Sequence, residues 1–122
     1  MGRIFQAFVA ASILAVSFVG SAIAGPFENA VFAYMAGDYA TAIQLMRAFA
    51  EQGDAPAQYN LGLMYDNGEG VPQNYVIAHM WFNLAAAGGL KSAAQNRDGV
   101  AARMTPAEVA EAQQLAREWQ PK

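Results

Sequence analysis

Six marker residues recur in this chain at a fixed offset: Tyr39, Ala42, Leu45, Met46, Ala50 and Gly53 are followed 36 residues later by Tyr75, Ala78, Trp81, Phe82, Ala86 and Gly89. An internal period of this size belongs to stacked helical pairs, in which one unit cannot bury its apolar face alone and its neighbours complete the core. The repeat predicts an all-α chain before any single segment is read.

The segments agree with the period. Asp54 is placed to cap a helix, with Pro56 tolerated in the first turn. Ala57, Leu61, Gly62 and Tyr65 then fall on one helical face. A glycine inside a helix costs about 1 kcal/mol relative to alanine, so Gly62 implies close approach of the next helix. Residues 66–74 contain two glycines and a proline and read as a loop. Val71 is its only aliphatic residue and is expected to plug the end of the pair. Asn74 caps the helix that follows, whose buried stripe is Tyr75, Ala78, Phe82, Ala85 and Ala86 with Trp81 alongside. Gly88 and Gly89 stop it, and Leu90 supplies the apolar contact that accompanies a glycine cap.

An earlier unit has the same plan with a shorter turn over residues 35–39. A third is less regular, with helices expected over residues 91–103 and 106–119. Thr105, Pro106 and Glu108 give the latter helix a cap, a first-turn proline and a capping box. The helix pairs thus lie near 27–53, 54–89 and 91–120.

The front of the chain is of another kind. Residues 4–24 carry no charge, follow Arg3 and end in Ala22 and Ala24. A basic start, an apolar centre and an A-x-A site form the layout of an export signal. The bond between Ala24 and Gly25 is the expected cleavage point, which makes the mature protein periplasmic or secreted. The alternative is retention as an anchor, since about 20 apolar residues span a bilayer.

Residues 25–122 hold six bases and ten acids, a balance unsuited to nucleic acid or an anionic membrane surface. The acids crowd the front: residues 25–90 contain six of them and only Arg47 as a base. The chain has no cysteine, which excludes disulfides, thiol catalysis and cysteine-based zinc sites.

Residues 57–89 closely resemble the Sel1-like repeat, a relative of the tetratricopeptide repeat. The resemblance rests on Ala57, Leu61, Gly62, Tyr65, Gly68, Gly70, Val71, Tyr75, Ala78, Trp81, Ala85, Ala86 and Gly89. Residues 37–53 look like a tetratricopeptide half-unit, and residues 103–119 are similar to the closing helix often found after such repeats. The resemblance implies a short right-handed superhelix of helix pairs and a non-catalytic adaptor, with a concave side that receives a protein or peptide. On tetratricopeptide geometry, Tyr59, Leu63 and Asp66 share a first-helix surface away from the Leu61 and Tyr65 stripe. Aromatic anchoring beside an acid suits a protein-binding patch. Some Sel1-like proteins have been linked to cell-wall material, so an envelope enzyme is the competing reading, and an anchored accessory protein is a third.

The chemistry-bearing residues favour the adaptor. His79 is the only histidine and has no second histidine or cysteine to complete a metal or acid-base site. Asp66 and Glu69 flank the glycine loop without the spacing of a calcium loop and read as solvated acids. Gly68, Glu69 and Gly70 lack the third glycine and lysine of a phosphate cradle. Neither a metal nor another cofactor is expected. Most of the methionines are expected to fill the core.

Overall fold

The computed structural model describes residues 25–122, which form six α-helices and no strand. The helices are α1 Pro26–Met35, α2 Tyr39–Glu51, α3 Ala55–Asn67, α4 Tyr75–Ala87, α5 Lys91–Ala101 and α6 Pro106–Glu118. The expected export segment, residues 1–24, and its cleavage bond lie outside the described residues. No described helix is long and apolar enough to cross a membrane.

Capping chemistry sets the boundaries. The carboxylates of Asp38 and Asp54 accept from the amides of Thr41 and Ala57, and Asn74 accepts from Ile77. Each satisfies an amide that the first turn leaves without a partner. At α6 the capping box closes in both directions between Thr105 and Glu108. The repeated glycines mark helix ends for a shared reason. Gly53 and Gly89 sit at φ 98° and 102°, and the residue after each returns its amide to a carbonyl of the closing turn: Asp54 to Phe49 at 3.2 Å, and Leu90 to Ala85 at 3.2 Å. This is the paired-bond stop that a left-handed residue makes possible.

α1 packs on α2, α2 on α3, α3 on α4 and α4 on α5, the serial order of a repeat stack. One core is built from Met46, Leu61, Met64 and Trp81 with small alanines between them. A second joins Ala78 and Phe82 of α4 to Val100 of α5. Gln58, buried between units, donates to the carbonyl of Ala50 at 3.2 Å and stitches the end of α2 to α3. Val71 packs on the first core, as its place in the loop predicts.

The third pair is where the arrangement differs from expectation: α6 packs chiefly on α4 rather than on α5. The cause is apolar supply. α5 buries only Ala93 and Val100, and Val100 is taken up by α4, so no apolar stripe remains for α6. Trp119, just past α6, instead meets Trp81 with ring centroids 6.3 Å apart at 72°. Beyond it the amide of Lys122 donates to the carbonyl of Glu51 at 2.8 Å.

Candidate interaction surface

The surface of α3 is set by its fit to α4. A side-chain carbon on Gly62 would lie 2.6 Å from the Phe82 ring, so this position brings the two helices together and fixes the rotation of α3. Leu61 then points into the first core. Tyr59, Leu63 and Asp66 follow one another along a different stripe of α3, and all three are half-buried. Tyr59 lies 5.8 Å from the Phe82 ring centroid, tilted by 50°. Leu63 packs on the same Ala78, Phe82 and Val100 cluster.

The remainder of this surface comes from a part of the chain that sequence reasoning did not connect to it. Met104, in the corner between α5 and α6, packs on that cluster together with Tyr75. The Arg103 guanidinium stands 5.6 Å from the Tyr75 ring centroid and reaches the Asp66 carboxylate at 3.4 Å. In this pair the Asp66 side chain is 13% exposed and that of Arg103 56%. The loop begins later than expected, because α3 runs on through Asn67 to its Gly68 cap, and Asp66, in the last turn of that helix, is a covered acid rather than a free, solvated one. Nothing in the local sequence around Arg103 points to this reach, because the capping box that follows fixes a helix start and not its partner.

Glu69 is likewise engaged. Both its carboxylate oxygens accept from the Tyr34 hydroxyl at 2.9 Å, and Asn67 donates to one of them at 3.2 Å. Burial, and then the bond to Glu69, push the Tyr34 hydroxyl up to about 12. The neighbouring Tyr39 hydroxyl is raised as well, first through hydrogen bonding to the same carboxylate and then by its charge. The loop is held at Gly70, where a side-chain carbon would lie 2.7 Å from the Tyr39 carbonyl oxygen. This explains the loop acid that the calcium-loop comparison left without a role: it ties the second unit to the first. Across the same junction Arg47 donates to the Tyr65 hydroxyl at 2.9 Å.

Two other features stand out. Phe32 and Met35 of α1 are 56% and 76% exposed, so Met35 is not one of the core-filling methionines, whereas Met46, Met64 and Met80 are. His79 is only 2% exposed, and among the described residues its Nδ1 has no hydrogen-bond partner. Burial first, and then the charge of Arg97, lower its affinity for a proton, opposed by Asp98. The imidazole is enclosed within the packing of α4. Among the described residues no three histidine, aspartate or glutamate side chains gather where they would hold a metal ion.

A model of the Sel1 repeat family matches residues 33–54 and 55–90. The division between the two matches falls at the start of α3, where the Asp54 cap separates the units. No curated protein matches the chain.

Proposed function

Because the chain belongs to the Sel1-repeat family, whose repeats generally serve as protein-interaction modules, we propose that it is an exported, non-catalytic adaptor holding a protein or peptide. The helix pairs form a short right-handed superhelix. Its concave side is lined by the first helix of each unit, and Tyr59, Leu63 and Asp66 on α3 are the contact residues. The observation that carries this reading is the composition of that stripe: an aromatic ring, an apolar side chain and a carboxylate lie in sequence on one helix, each retaining some exposure. Such a set supplies an anchor, a dry contact and charge selection. The acidic balance of residues 25–90 favours a partner with positive charge.

The enclosed histidine and the absence of cysteine support a role without chemistry. The apolar run of residues 4–24 supports export, with cleavage between Ala24 and Gly25.

Site-specific photo-cross-linking tests the surface. A benzophenone amino acid replacing Tyr59 is expected to trap a discrete protein adduct in intact cells, and the same group at exposed Gln113 on α6 is expected to trap none. Equal labelling from both positions, or none from Tyr59, removes the assignment. The mass of the mature amino terminus tests export: a chain beginning at Met1 contradicts cleavage.

A further inference from the structure

The stripe proposed to take a partner is already in contact with a piece of this same chain. Arg103 pairs with Asp66 and stands over the Tyr75 ring, while Met104 packs on the cluster that Tyr59 and Leu63 share. A basic side chain followed by an apolar one thus occupies an acid and an apolar aromatic surface. We infer that the corner carrying Arg103 and Met104 is a displaceable latch on the Tyr59, Leu63 and Asp66 surface, and that the partner is a segment presenting a basic side chain beside an apolar one. The inference rests on the binding role proposed above for that surface and adds its ligand chemistry and its control.

Three observations make this corner a latch rather than a fixed buttress. The first is how lightly its basic side chain is held: Arg103 is 56% exposed and meets the covered Asp66 from the solvent side at a long 3.4 Å, where a solvent-screened pair and a cation–aromatic contact are each small. The second is that both flanking helices are anchored without it. α5 is fixed through buried Ala93 and Val100, and α6 through Ala112 and the Trp119 contact with Trp81. The corner can leave and return while both helices stay in place. The third is Gly99 in the last turn of α5, which has no positive φ and nothing within 4 Å of where a side-chain carbon would sit. Neither backbone geometry nor packing requires a glycine there. Its physical effect is to loosen the helix immediately before the corner.

A partner must compete with this internal occupant, so the apparent affinity of the wild-type chain is reduced by the fraction of molecules in which the corner is seated. The probe is a synthetic peptide of residues 97–108, which carries the same Arg-Met pair. It is offered to the mature protein by fluorescence anisotropy. The Arg103→Ala/Met104→Ala variant, with helicity verified by circular dichroism, is expected to bind the peptide roughly tenfold more tightly than the wild type. Adding Asp66→Asn to this variant is expected to abolish the gain. Gly99→Ala in the otherwise wild-type chain is expected to weaken binding roughly fivefold by firming the last turn.

If the double variant unfolds, Arg103→Ala alone serves, because it removes the pair with Asp66 and the contact over Tyr75 while leaving Met104 packed on the cluster. Equal binding by wild type and folded variant overturns the latch and leaves the surface assignment standing. No binding by a folded, latch-free variant overturns the ligand chemistry. If Tyr59 cross-linking still traps a partner in that case, the surface keeps its role and takes a different ligand.

Discussion

The ring of Phe82 occupies the space that the first side-chain carbon of any residue other than glycine at position 62 would need, with Cε1 2.6 Å from that point. Phe82 is fully buried, so its ring cannot swing aside at little cost. Gly62→Ala gains about 1 kcal/mol of helix propensity and suffers overpacking of about 1–3 kcal/mol. A net loss of up to about 2 kcal/mol is expected in urea unfolding. Combining it with Phe82→Leu is expected to cost less than the two single losses added, and strict additivity would argue against the contact.

Leu61 is fully buried in the first core beside Met64 and Trp81. Leu61→Ala is expected to lose about 2–5 kcal/mol, the range for truncating an aliphatic side chain in a packed interior. Chemical denaturation monitored by helicity reads it directly. A loss well below 1 kcal/mol would mean the site collapses freely, contrary to tight packing between α3 and α4.

Two glycines are expected to respond in opposite ways to alanine. At Gly70, φ is 77° and the Tyr39 carbonyl oxygen lies 2.7 Å from the added carbon, so Gly70→Ala strains the backbone and pushes the loop from the first unit. A loss of about 1–3 kcal/mol is expected. At Gly99 neither constraint exists, and alanine should stabilise by about 0.5–1 kcal/mol. Thermal melts of the two variants should shift in opposite directions from wild type.

Acid should weaken the fold through His79. Its folded affinity for protons lies below the ordinary value of 6.5, because of burial first and Arg97 second. The unfolded chain therefore binds the proton more readily, and stability is full above pH 6.5 and falls as pH drops below it. His79→Leu removes the titration and the unpartnered Nδ1 together. Its unfolding midpoint should change less than that of wild type between about pH 7 and about pH 5. Parallel loss in both proteins would assign the acid sensitivity elsewhere.

Alkali should act at the other junction. Tyr34 is raised from 10.0 to about 12, by burial and then by its bond to Glu69. Its contribution is present below pH 10 and is lost as pH rises through about 12. Tyr34→Phe forfeits the bond to Glu69 at neutral pH and should show a shallower stability decline above pH 10, measured by urea unfolding across that range. An unchanged alkaline slope would show that Tyr34 is not the group responsible.

The helices, caps and first two units were legible because their causes are local or periodic. Asp54, Asn74 and Thr105 satisfy amides within their own first turn, and the 36-residue repeat marks both glycine stops. The close approach at Gly62 was legible for a related reason: a glycine inside a regular helix needs a neighbour to explain it. The seating of α6 was hidden because it depends on which apolar stripe remains free once α5 has docked, a balance among three helices. The covering of Asp66 by Arg103 was hidden because the pair is separated by 37 residues and follows neither repeat nor cap. Tyr59, Leu63 and Asp66 were placed on one stripe by analogy with repeat geometry, whereas their partners within the chain follow only from tertiary packing.

The return of the last segment changes how such a stack fails. A linear array of repeats can ordinarily fray one unit at a time from either margin. Here Trp119 rests on Trp81 and Lys122 is bonded to Glu51 at the close of α2, so peeling the final helix also releases a contact belonging to the opening unit. Unravelling from that side is therefore coupled to the close of α2 instead of being confined to the last pair.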